Sequence, residues 1–154
     1  MELDDLYGEI RREREPTMLV SELMTTALVT GAPKDLVDES LFEMKLASIR
    51  HLPIVGVENH LMGIVSDRDV LLSLGAAETG TVYLRDIMTT DVETISQDDD
   101  ATIALGIMLD KKIGCLPVLG DHGQLVGVIT ETDFLEVAHK LLSTKAPENQ
   151  DLQF

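Results

Sequence analysis

Gly63-Ile64-Val65-Ser66-Asp67-Arg68-Asp69 returns 64 residues later as Gly127-Val128-Ile129-Thr130-Glu131-Thr132-Asp133. In each copy an apolar run of strand composition ends at a hydroxyl residue and gives way to acidic residues, the pattern of a strand passing into a helix N-terminus. Moving outward, the same offset pairs Met24-Thr25-Thr26 with Met88-Thr89-Thr90, Met44 with Met108, Ile49 with Ile113, Leu52-Pro53 with Leu116-Pro117, and Gly56 with Gly120, all without a gap. Two copies, each too short to bury a core alone, imply a closed pair related by a pseudo-twofold axis rather than an open solenoid.

Each copy reads as strand, helix, strand, strand, helix, an α/β arrangement of two βαββα units. The first strands are expected near Leu28 to Thr30 and Val92 to Ile95. Helical apolar faces follow, through Leu36, Val37, Leu41, Met44 and Ile49 and through Ile103, Leu105, Ile107, Met108 and Ile113. Hairpins come next, Leu52 to Val55 with Leu61 to Val65, and Leu116 to Leu119 with Leu125 to Ile129. Asp67 to Leu74 and Thr132 to Leu142 are the closing helices. The chain therefore divides into a leader (1–19), a first unit (20–74), a Gly-, Ala- and Thr-rich linker (75–83), a second unit (84–142) and a polar tail expected to fray (143–154). In the leader, Leu3, Leu6, Tyr7 and Ile10 share one face of a short helix before Pro16.

The chain has 154 residues, and its 28 acidic side chains against 12 basic ones give a net charge of −16. That surface repels phosphate backbones and anionic headgroups, so neither nucleic acid nor a membrane surface is an expected partner. No apolar run is long enough to span a bilayer. The single cysteine, Cys115, excludes an internal disulfide, and without a signal-peptide pattern the expected location is cytoplasmic.

Ser66 with Asp69, and Thr130 with Asp133, have the spacing of a capping box, in which the hydroxyl and carboxylate satisfy the free N–H groups of a helix start. The same geometry suits a ligand. A helix N-terminus offers N–H donors to a phosphate, and an ionised carboxylate can accept both hydroxyls of a ribose. The residues leave both readings open.

The Met-Thr-Thr opening, the Leu-Pro strand start, the Gly-Ile-Val-Ser-Asp-Arg-Asp turn and their recurrence in order from about Val20 to Leu142 resemble a tandem pair of CBS domains. The resemblance implies a disc of two βαββα units, usually dimerised, with up to two clefts for AMP, ADP, ATP or S-adenosylmethionine. It places the ribose-binding carboxylate at Asp69 and Asp133 and the hydroxyl at Ser66 and Thr130. It sets Arg68 where relatives hold a phosphate, and points to Thr30, Arg50 and His51, with Thr94, Gly114 and Cys115 in the second copy, for the adenine pocket. Thr132 lacks the charge of Arg68, and Glu131 adds a negative one. The cleft of Ser66, Arg68 and Asp69 is therefore expected to prefer phosphorylated nucleosides, and the other to be weaker or to take a neutral or cationic adenosyl ligand. Mg escorting ATP is a further route past the acidic surface.

Catalysis finds little support. His51, His60, His122 and His139 are scattered, and no pair has the helical spacing of a zinc site. Asp98-Asp99-Asp100 fits a helix start with Ser96 as its cap. Two functions follow: a sensor that binds an adenosyl ligand and signals to a partner protein, which the sequence does not identify, or a ligand-independent dimerisation or adaptor module whose Ser-x-x-Asp turns are only caps.

Overall fold

In a computed structural model of the chain, the described residues are 18–76 and 80–144. Their elements, in chain order, are α1 (Val20–Leu23), α2 (Val37–Leu46), β1 (His51–Val55), β2 (Leu61–Ser66), α3 (Asp67–Ala76), α4 (Leu84–Ile87), β3 (Ile95–Ser96), α5 (Ala101–Lys111), β4 (Cys115–Leu119), β5 (Leu125–Thr130) and α6 (Glu131–Thr144). The repeated α/β architecture is the one expected. β1 pairs antiparallel with β2 and β4 with β5, each hairpin carrying one irregularity at the same repeat position, between Ile54 and Val55 and between Val118 and Leu119.

Two aliphatic cores result, and each includes a residue from the other repeat. Leu52, Ile54, Val65, Val37, Met44 and Val70 of unit 1 close around Leu84. Leu116, Val118, Ile129, Ile103 and Met108 of unit 2 close around Val20. The lead-in segments are tied down by backbone bonds across the units: Val20 N–H donates to Asp99 O (2.8 Å) and Leu84 N–H to Asp35 O (2.9 Å). Further on, Thr25 bridges Val128 and Thr89 bridges Ile64. These crossings explain the recurring Gly63 and Gly127. A Cβ on Gly127 would lie 2.7 Å from Met24 Sδ, and one on Gly63 would lie 2.8 Å from Met88 Sδ and from the Thr89 carbonyl oxygen.

The first strand differs from expectation in both copies. In unit 2 it is Ile95–Ser96, parallel to β4, rather than Val92 to Ile95. In unit 1 only Gly31 bridges Ile54, where a strand over Leu28 to Thr30 is expected. Gln97 N–H extends the unit 2 ladder by donating to Leu119 O (3.1 Å). Its repeat counterpart is Pro33, which has no N–H, so the unit 1 ladder stops. The closing helices also run further than the sequence suggests. α3 takes in Gly75 and Ala76 from the expected linker, and α6 reaches Thr144 with Ser143 Oγ bonded to His139 O (2.7 Å). The expected leader helix lies outside the described residues, as do the linker residues 77–79 and the tail beyond 144.

Candidate functional site

The repeated turn forms a cap in both units. Ser66 N–H donates to Asp69 Oδ2 (3.0 Å) and Asp69 N–H returns to Ser66 Oγ (3.1 Å), a reciprocal box at the start of α3. At the start of α6, Thr130 N–H donates to Asp133 Oδ2 (2.7 Å), and the Thr130 hydroxyl also donates to that oxygen (3.2 Å). Each carboxylate thus spends Oδ2 on the turn, while its Oδ1 makes no hydrogen bond among the described residues. Carboxylates brace other turns in the same way: Glu22 accepts from Leu19 N–H and Asp86 from Tyr83 N–H, Asp35 from Ala32 N–H and Asp99 from Ser96 N–H. Within the Asp98-Asp99-Asp100 run the cap of α5 is Asp100, which accepts from Thr102 N–H (2.8 Å), and not Ser96 as expected, because Ser96 Oγ is turned to Asp98 N–H (3.2 Å).

Among the repeated turns, those at Ser66 and Thr130 also open onto clefts. The Asp133 cleft, about 330 Å³, is walled by Thr25 and Ala27 to Val29, by Ser48 to His51, and by Thr130, Thr132, Asp133 and Glu136. The Asp69 cleft, about 350 Å³, is walled by Ser66 and Asp69, by Thr89 and Asp91 to Glu93, and by Lys112 and Ile113. His51, Gly114 and Cys115 line both, so the start of β1 and the start of β4 form the partition. Each cleft joins the helix start of one repeat to the lead-in and loop of the other. Arg50 accordingly faces the cleft of Asp133 rather than that of Ser66 and Asp69. Thr30, Thr94 and Arg68 line neither cleft; Arg68 is exposed, its N–H donating to Asp67 Oδ1 (2.8 Å).

Compared at the repeat offset, the walls differ in charge. Ala27, Val29 and Arg50 of the Asp133 cleft stand where the Asp69 cleft has Asp91, Glu93 and Gly114, and Ser48 stands where it has Lys112. Beside the Asp69 cleft Lys111 is paired with Glu93. In the partition, burial lowers the His51 pKa, Arg50 lowers it further, and Asp67, Asp69 and Glu131 oppose them. Burial, helped by Asp133, pushes the Cys115 thiol up to about 12, so it is a neutral thiol near pH 7 and no nucleophile. Ala27 to Val29, Val92 and Ile113 are wall residues that sequence reasoning missed. The repeated Met-Thr-Thr before Ala27 and Asp91 is the signal that marks those segments.

Among the described residues no group of three or more His, Cys, Asp or Glu side chains could hold a metal ion. No helix among them is long and apolar enough to cross a membrane.

Comparison with known proteins gives a consistent answer. The CBS domain family profile matches residues 20–76 and 84–140. An inosine-5'-monophosphate dehydrogenase from Methanocaldococcus jannaschii is 35% identical over 115 residues, which are 75% of this chain but 22% of that enzyme. Among solved structures, the CBS domain pair of protein MJ0100 in complex with 5'-methylthioadenosine and S-adenosyl-L-methionine superposes with a TM-score of 0.74 at 25% identity, covering 82% of this chain and 99% of that one. CBSX2 in complex with AMP gives 0.70 at 25% identity, covering 80% and 98%.

Proposed function

The chain belongs to the CBS domain family, and from that premise we propose that it is a regulatory module that binds adenosyl ligands in its two clefts and transmits their occupancy to a partner protein. One observation carries the reading: both recurring Ser/Thr-x-x-Asp turns border a cleft, and in each the carboxylate retains an oxygen not used by the turn. Asp69 and Asp133 are assigned to ribose hydroxyls, Ser66 and Thr130 to the ligand's polar edge, and the apolar walls (Leu28, Val29 and Ile49; Val92 and Ile113) to the adenine ring. The volumes lie at the small end of the range for organic-ligand pockets, as a mononucleoside requires.

The two clefts are assigned different ligands. Arg50, which lines the Asp133 cleft and not the other, suits it to a phosphorylated nucleoside such as AMP. Asp91 suits the Asp69 cleft, whose wall also carries Lys112 and a Glu93 paired with Lys111, to an uncharged or cationic adenosyl compound, 5'-methylthioadenosine or S-adenosylmethionine. This inverts the preference expected from Arg68, because Arg68 lies outside both clefts and Arg50 lies across the partition from Asp69. Exposed Phe42, Leu46 and Leu72 on α2 and α3 support pairing of two copies, which sedimentation would test.

The adaptor reading keeps one observation in its favour: carboxylates at other turns make the same cap without lining either cleft. Titration calorimetry with AMP, ATP with and without Mg, and S-adenosylmethionine separates the readings. AMP heat lost with Asp133→Asn and retained with Asp69→Asn is the expected result, with the reverse for S-adenosylmethionine. No heat from any of these ligands would leave the adaptor.

A further inference from the structure

The two clefts share His51, Gly114 and Cys115. Of these only His51 changes charge near neutral pH, since Gly114 has no side chain and the Cys115 thiol stays neutral. The repeat offset sets Gly114 at the place of Arg50 and Cys115 at the place of His51, so the side chains at the partition that can be cationic belong to unit 1 alone. His51 is half-buried at the start of β1. Charged groups face it from the residue before β1 (Arg50), from the head of α3 (Asp67 and Asp69) and from the head of α6 (Glu131), while Cys115 on β4 brings no charge. A Cβ on Gly114 would lie 3.5 Å from Glu131 Oε2 and 3.6 Å from His51 Cε1, so carboxylate and ring flank one small space. The other wall charges are Asp133 and Glu136 in one cleft and Asp91, Glu93 and Lys112 in the other. Burial and Arg50 oppose a proton on His51 and the three carboxylates favour it, with the balance toward the neutral ring. An extra charge placed in either cleft acts on that balance.

Resting on the ligand assignment above, we infer that His51 is a proton switch between the two ligands: protonated, it favours a phosphorylated nucleoside in the Asp133 cleft, and neutral, it favours a cationic adenosyl compound in the Asp69 cleft. A phosphate beside Arg50 gains a second cationic partner when His51 takes up a proton. The same imidazolium turns a positive charge toward the Asp69 cleft, where it opposes the sulfonium of S-adenosylmethionine. Acidification therefore moves the two affinities in opposite directions through one side chain. By reciprocity, the phosphorylated ligand tightens the hold of His51 on its proton and the cationic ligand loosens it.

Calorimetric titration of the full-length chain and of His51→Gln at about pH 8 and about pH 5.5 tests the switch. Each ligand's own ionisation is common to both proteins and cancels in the ratio of their affinities. On acidification the native-to-variant ratio is expected to rise about fivefold for AMP and to fall about twofold for S-adenosylmethionine, and to stay level for the uncharged 5'-methylthioadenosine. A second measurement does not depend on the folding of His51→Gln. His60, His122 and His139 are exposed, and replacing all three by Gln leaves His51 as the sole imidazole of the four. Its NMR titration should move to higher pH with AMP and to lower pH with S-adenosylmethionine. Ligands that bind while the ratios ignore pH, or while the imidazole titration stays in place or moves the same way with both, overturn the switch and leave the ligand assignment standing. Absence of binding by any of the three overturns the assignment, and the switch with it.

Discussion

Replacing Asp69 or Asp133 by Asn keeps an oxygen for the Ser66 or Thr130 N–H, whereas Ala removes it, so the two substitutions separate cap from ligand site. Ala is expected to cost about 1 kcal/mol of stability in denaturant melts and Asn much less. Both are expected to abolish adenosyl binding in their own cleft, because an amide offers the ribose a donor where the carboxylate offers only acceptors. Asn variants that bind normally would leave the carboxylates as caps alone. His51 carries a second test. Its folded pKa lies below 6.5, so the unfolded chain takes up the proton first; stability is full above that pH and falls as pH drops through 6.5 toward the folded value. Urea midpoints of the native protein should therefore fall more than those of His51→Gln between about pH 7.5 and about pH 5, and parallel curves would show that other groups control the acid limb. The repeated glycines also rank. A Cβ at Gly63 meets the Thr89 carbonyl at 2.8 Å, while at Gly127 the nearest backbone atom, Thr25 O, is 3.1 Å away and Met24 Sδ belongs to a flexible side chain. Gly63→Ala is expected to cost about 1–3 kcal/mol and Gly127→Ala less, by thermal unfolding.

At the scale of elements, α5 starts from a side-chain cap and α2 from Leu36, which has none. Asp100→Ala should therefore cost about 0.5–2 kcal/mol by chemical denaturation and raise hydrogen exchange first in the opening turn of α5. The two hairpins and the βαββα order were legible because short apolar runs flank each turn and because the repeat states each boundary twice. The missing first strand was legible in principle: Pro33 stands at the place of Gln97, and a residue without an N–H cannot extend a parallel ladder. The helix ends at Ala76 and Thr144 were not, since Gly75 and the Ser143-Thr144 pair read locally as breakers while the turns before them carry the helix on. The cleft walls were legible only by type. An offset alignment equates Arg50 with Gly114 and His51 with Cys115 but is silent on which unit's helix start each faces, and the crossing of the lead-in segments settles that. Arg50 and Asp69 belong to the same repeat, yet the residue Arg50 shares a cleft with is Asp133.

The exchange of lead-in segments makes the whole molecule the folding unit. Leu84 and Val20 are fully buried, each among side chains of the opposite repeat. Leu84→Ala should cost about 2–5 kcal/mol, a large share of the roughly 5–15 kcal/mol that holds a domain folded. The first hydrogen-exchange protection to weaken should be that of β1 and β2, which lie before the substituted residue in the chain. Cutting between the repeats removes more than one side chain. Residues 20–76 alone would lose Leu84 with its N–H bond to Asp35, the Val37 N–H bond to Val82 O (3.1 Å), and the Thr89 pairing with Ile64. Residues 84–144 alone would lose Val20, the Ala101 N–H bond to Met18 and the Thr25 pairing with Val128. Each half would then expose a core with one side open and a strand edge with no partner. Neither fragment is expected to show a cooperative thermal transition alone, and an equimolar mixture should regain one, because the other fragment holds every missing contact except Met18 O and Val82 O, which lie in neither. A cooperative transition in either half by itself would show that the exchanged segments decorate two independent domains. Failure of the mixture to recover would show that the covalent link through residues 77–83 supplies what the contacts cannot.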